Sequence, residues 1–152
     1  MMEITVESLK KITFFKEFDS VTIEKILKIS ELQEFDVEEK IFDEHQKLID
    51  IFVLLEGKVI LGINVPGKGK INLGTIHPGQ LFSWSALFPP SISTAYAFAD
   101  VPVKVLSIKA SKIQELVGDN DTFGYKFMKI IGQTLSKRLS DTRFQLINMA
   151  SV

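Results

Sequence analysis

A chain of 152 residues has room for one domain and an appended element, and burial of roughly 70% of its unfolded surface gives it a core without metals or disulfides. It has no cysteine, which excludes disulfides, thiolate metal ligands and cysteine nucleophiles. Its net charge is −1, from 18 basic and 19 acidic residues, and its two arginines, Arg138 and Arg143, both stand in the last fifteen positions; this is unlike the basic stripe of a nucleic-acid-binding domain.

The N-terminal stretch carries Glu3, Glu7, Lys10 and Lys11 and so lacks the unbroken apolar run of a signal peptide. No span of about 20 apolar residues occurs anywhere, so the expectation is a cytoplasmic protein with no membrane segment. Leu9, Ile12, Phe14, Phe15 and Phe18 form an aromatic-rich cluster expected to pack the N-terminal helical segment onto the body. Val21, Ile23, Ile26, Leu27 and Leu32 fall near helical spacing behind Asp19 and Ser20, which predicts a capped amphipathic helix over 21–32.

From residue 33 the texture changes. Runs over 34–37, 51–55, 59–65, 71–76 and 103–108 are rich in Ile, Val, Leu and Phe, and turn residues such as Gly57, Gly67, Gly69, Pro78 and Gly79 separate most of them. Short, closely spaced strands predict a sandwich or jelly roll, with a hairpin tip at 65–70. Beyond residue 110 the pattern is helical again, first over 111–117 with a stop at Gly118. A long helix follows, starting at Asp121 or Thr122 and running to about residue 148. Phe127, Ile131, Leu135, Leu139, Leu146 and Met149 mark an apolar stripe on it, which packs on the roll or seams two copies into a homodimer.

Two stretches, 41–61 (IFDEHQKLIDIFVLLEGKVIL) and 79–97 (GQLFSWSALFPPSISTAYA), together with the order of elements, resemble the cyclic-nucleotide-binding domains of the catabolite-activator group of bacterial regulators. The resemblance runs from about Leu9 to Met149. It implies a fold that is mainly β with helices: a double-stranded β-helix, or jelly-roll, β-roll with short N-terminal helices and a long C-terminal dimerisation helix. The whole is one domain, with N-terminal helices over 1–32, the roll over 33–110 and C-terminal helices over 111–152. Asp50, Phe52, Leu54, Gly57 and Val59 match the family's hairpin pattern, and His45 stands where the family has a turn glycine.

The second stretch implies the site. Ligand-binding members carry a glycine and a glutamate before a short helix, then an arginine followed by threonine or serine and alanine. A helix N-terminus and an arginine suit a cyclic phosphate, and the glutamate accepts from the ribose hydroxyl. Here Ser83 stands at the glycine, Trp84 at the glutamate and Ser93 at the arginine, while Thr94 and Ala95 match. Gly79, Phe82, Ala86 and Leu87 keep the framework, Ser85 adds a hydroxyl, and the resemblance brings Thr142, with Arg143 beside it, toward the ligand from the long helix.

Two readings follow. In one, the pocket holds a cyclic nucleotide or other small anionic ligand through hydroxyls and main-chain N–H groups. In the other, Trp84 plugs it and the protein is a ligand-independent dimerisation or docking module with a protein partner. A third is the sensor part of a transcription regulator lacking its DNA-binding domain, since no helix-turn-helix follows the long helix; no DNA binding is expected from this chain. Catalysis is not expected. The two histidines, His45 and His77, are too few for a cupin-type metal centre, no nucleophile elbow is present, and Gly67-Lys68-Gly69-Lys70 lacks the spacing of a phosphate-binding loop.

Overall fold

The computed structural model describes residues 4–150, so the outermost ends of the two expected helical segments lie outside the described residues. Thr5 opens the chain with a reciprocal cap: its hydroxyl accepts from the Ser8 N–H while the Ser8 hydroxyl accepts from the Thr5 N–H, which starts α1 (Val6–Lys10). A single 3₁₀ turn at Thr13–Phe15 follows. Asp19 then caps α2 (Ser20–Lys28) by accepting from the Thr22 N–H at 2.8 Å. The helix stops earlier than its periodicity suggests. Residue 30 already pairs with Ile108, and Leu32 lies half-exposed on a strand.

Eight antiparallel strands form two four-stranded sheets: β1 (Ser30–Phe35), β2 (Lys40–Phe42), β3 (Asp50–Glu56), β4 (Val59–Val65), β5 (Gly69–Ile76), β6 (Leu81–Phe82), β7 (Tyr96–Ala99) and β8 (Val103–Lys109). The first sheet runs β1-β8-β3-β6 and the second β2-β7-β4-β5, which is the jelly roll. In β3 and β8 consecutive residues are buried, because the second sheet covers one face and helices the other, so these strands read as unbroken apolar runs. Gly57 turns β3 into β4 at φ +101°, and a Cβ there would come within 2.6 Å of the Pro102 carbonyl oxygen.

Two helices close the chain, α3 (Ala110–Asp119) and α4 (Asp121–Ala150). The side chain of Asn120 accepts from the Phe123 N–H at 3.0 Å, so the cap of α4 is Asn120, one residue before the expected Asp121 or Thr122. Phe14, Phe15, Phe18, Phe123 and Phe127 interlock with ring centroids 4.9–6.2 Å apart, fastening the first turns of α4 to the N-terminal segment. The expected stripe on α4 divides. Phe127 and Ile131 are buried, whereas Leu135, Leu139, Leu146 and Met149 are 40–65% exposed. No helix among the described residues is long and apolar enough to cross a membrane.

Candidate functional site

The site begins where β6 ends. Phe82 pairs with Phe52 on β3 and is fully buried, which fixes the chain's direction as it leaves the sheet. Ser83 then adopts φ +68° and ψ 32°, the left-handed conformation that glycine takes without cost. Its hydroxyl donates to the Asp50 carbonyl oxygen at 2.8 Å, which holds the turn against β3. A four-residue 3₁₀ helix follows, Trp84–Leu87, and the Gln114 side chain of α3 ties it down by donating to the Leu87 carbonyl oxygen. Ala86 and Leu87 are buried, so with Phe82 they serve as core.

Ser93 faces this short helix from the opposite wall and is 2% exposed. Its hydroxyl is committed twice within the protein, donating to the Asp43 carbonyl oxygen and accepting from the Gln46 N–H at 3.0 Å. Its main chain exchanges two further bonds with His45 and Gln46. His45 takes the expected left-handed turn at φ +59°. Ser93 thus stitches its loop to the 43–46 turn.

Between the walls lies a cavity of about 50 Å³, lined by Phe42, Leu48, Leu61, Ser83, Trp84, Ser85, Ser93, Thr94 and Ala95. Small-molecule sites enclose about 300–1,000 Å³, so this space has room for water but not for a nucleotide. No cationic side chain lines it. On β3, whose Asp50 carbonyl oxygen holds Ser83, burial raises the Asp50 carboxyl above its ordinary value, Glu31 adding to the effect and Lys109 opposing it.

Six of the residues singled out from sequence, Ser83, Trp84, Ser85, Ser93, Thr94 and Ala95, therefore meet around one cavity. Gly79 lies outside it, at φ +92° against Thr13. Thr142 and Arg143 are exposed on α4 and do not line this cavity; the Thr142 hydroxyl donates back to the Arg138 carbonyl oxygen at 2.9 Å.

Arg138 is the residue that sequence reasoning missed. Its guanidinium lies over the Trp84 ring, 5.4 Å from the centroid, and bridges α4 to the short helix. Gly74 makes room for it, since a Cβ there would stand 3.1 Å from one guanidinium nitrogen. The signal for it is a count in sevens. Gly124 is buried against Val117 of α3, Ile131 is buried, Arg138 stacks on Trp84, and Gln145 donates to the Asn72 carbonyl oxygen at 3.3 Å, so one stripe of α4 faces the body of its own chain.

Comparison with known proteins agrees with this architecture. A family model described as "Cyclic nucleotide-binding domain" matches residues 32–120. A protein from Geobacter metallireducens GS-15, described as a cyclic nucleotide-binding protein, superposes with a TM-score of 0.77 at 28% identity, over 90% of this chain and 99% of that one. A cyclic nucleotide-binding domain from Methylobacillus flagellatus KT reaches a TM-score of 0.80 at 15% identity, over 95% and 81% of the two chains. The catabolite activator protein of Thermus thermophilus gives 0.74 at 17% identity, over 91% of this chain and 63% of that one. No curated protein matches the chain.

Proposed function

The chain belongs to the cyclic nucleotide-binding domain family, and from that premise we propose that it is a cytoplasmic, non-catalytic regulatory domain whose nucleotide pocket its own side chains have closed. The observation that carries this reading is the cavity of about 50 Å³, which lacks a cation and has the Ser93 hydroxyl already spent on Asp43 and Gln46. An anionic ligand entering there loses its water and gains no charged partner, so binding is unfavourable.

In this reading the link between roll and long helix is built in. Arg138 on Trp84 joins the same two elements that a ligand seated between them would join. The state of α4 then answers to its partners. The open apolar face at Leu135, Leu139, Leu146 and Met149 suits a second copy of the chain, which makes the regulatory unit a homodimer that signals to a partner protein through its helices.

Calorimetric titration with cyclic AMP and cyclic GMP tests the closed pocket. The expected outcome is no binding heat and an unchanged melting temperature. Micromolar binding that persists in Arg138→Gln would place the nucleotide in the inner cavity and overturn the reading.

A further inference from the structure

A second and larger space lies between the roll and α4. It encloses about 280 Å³, close to the lower bound of small-molecule sites, and its walls come from the N-terminal 3₁₀ turn, the end of β5, the turn before β6 and α4. Arg138 projects along one wall, half-buried, with its face on Trp84. Among the described residues no carboxylate comes within 4 Å of its guanidinium and no oxygen accepts from it. Asp141, the acid nearest in sequence, lies 3.6 Å from the Lys137 ammonium instead.

Stacking uses only the face of a guanidinium. The N–H donors lie in its plane and remain free to engage an acceptor arriving from the groove. A cation held partly out of water without hydrogen-bond partners is costly, and burial does hold the Arg138 guanidinium below its ordinary value, with Asp141 opposing. Two neutral donors share the lining. The Gln80 amide oxygen accepts from the His77 N–H at 2.8 Å, which leaves its NH₂ group uncommitted, and the Thr75 hydroxyl makes no bond among the described residues. Glu17 also lines the groove, and Lys137 is neutralised by Asp141, so a polyanion is disfavoured.

We propose that this groove binds an oxyanion, a phosphate or carboxylate group on a small molecule of low charge, with Arg138 meeting it in the guanidinium plane and Gln80 and Thr75 donating beside it. The assignment places effector binding in a groove walled by the N-terminal 3₁₀ turn, the end of β5 and α4, apart from the inner cavity, where occupancy bears directly on how α4 is held. It does not depend on the inner cavity being closed to cyclic nucleotides.

Trp84 is the sole tryptophan and touches Arg138, so its fluorescence reports the site. Inorganic phosphate and acetate are titrated separately at constant ionic strength with chloride as the balancing anion, which removes general screening. The expected result is a saturable change in Trp84 emission with one of the two, and which one identifies the oxyanion. Affinity falls at least tenfold in Arg138→Gln and in Thr75→Val, the latter leaving the arginine–tryptophan stack in place. A signal that does not saturate with either anion, or saturation unaltered in either variant, overturns the proposal. The two readings fail separately: cyclic nucleotide heat that survives Arg138→Gln removes the closed pocket alone, and a silent phosphate and acetate titration removes the groove alone.

Discussion

Ser83 carries two opposed effects in one residue. Its left-handed backbone costs about 1–2 kcal/mol in an L-residue with a Cβ, while its hydroxyl bond to the Asp50 carbonyl oxygen contributes about 1 kcal/mol. Replacement by alanine keeps the strain and loses the bond, so Ser83→Ala is expected to lose about 1 kcal/mol in urea unfolding. Ser83→Gly loses the bond but releases the strain, and is expected to stay closer to the wild type. An alanine variant as stable as the glycine variant would remove this account. Asp50 offers a pH test. Its folded carboxyl binds a proton more tightly than the ordinary value of 3.8 because burial disfavours the anion, so ionisation costs stability as pH rises through that range. Asp50→Asn cannot ionise. It is expected to melt above the wild type at pH 7, with the gap shrinking as pH falls toward 3; a gap that widens on acidification would reverse the sign and refute the cause.

At the scale of elements, legibility in the sequence tracks how each strand is buried. β3, β4 and β8 have seven residues each and strong apolar content, so composition alone marks their runs. β2, β6 and β7 have three, two and four residues, too few for a period to register, and they exist because the roll offers them a partner edge. The candidate site is partly legible for the same kind of reason. Ser83, Trp84 and Ser93 stand out as departures from the family's motif. What Ser93 does is not readable there, since its hydroxyl partners lie 50 and 47 residues away along the chain. Arg138 is hidden by a choice of stripe: an arginine among apolar positions reads as solvated, and only the packed roll shows that positions seven apart from Ile131 turn inward.

For the whole molecule, the two faces of α4 differ in what they touch. The inward face is spent on the N-terminal segment and the roll through Phe127, Ile131, Arg138 and Gln145, whereas Leu135, Leu139, Leu146 and Met149 stand exposed on the outward one. Lysine at both Leu135 and Leu139 is expected to give a monomer in sedimentation where the wild type gives a dimer, with the melting of the roll little changed because both side chains are already half in water. An equal mass for the two proteins would remove the homodimer.

The position of Arg138 along its helix has a mechanical consequence. Twelve residues separate it from Ala150, about 18 Å of rigid rod at 1.5 Å per residue. A pivot at the Trp84 stack therefore magnifies small rotations: a tilt of about 10° carries the far end roughly 3 Å sideways at that helical rise. Displacements of that size separate a matched interface from a mismatched one, so a change too slight to alter the roll becomes legible at the tip of the rod, where a neighbouring molecule can feel it.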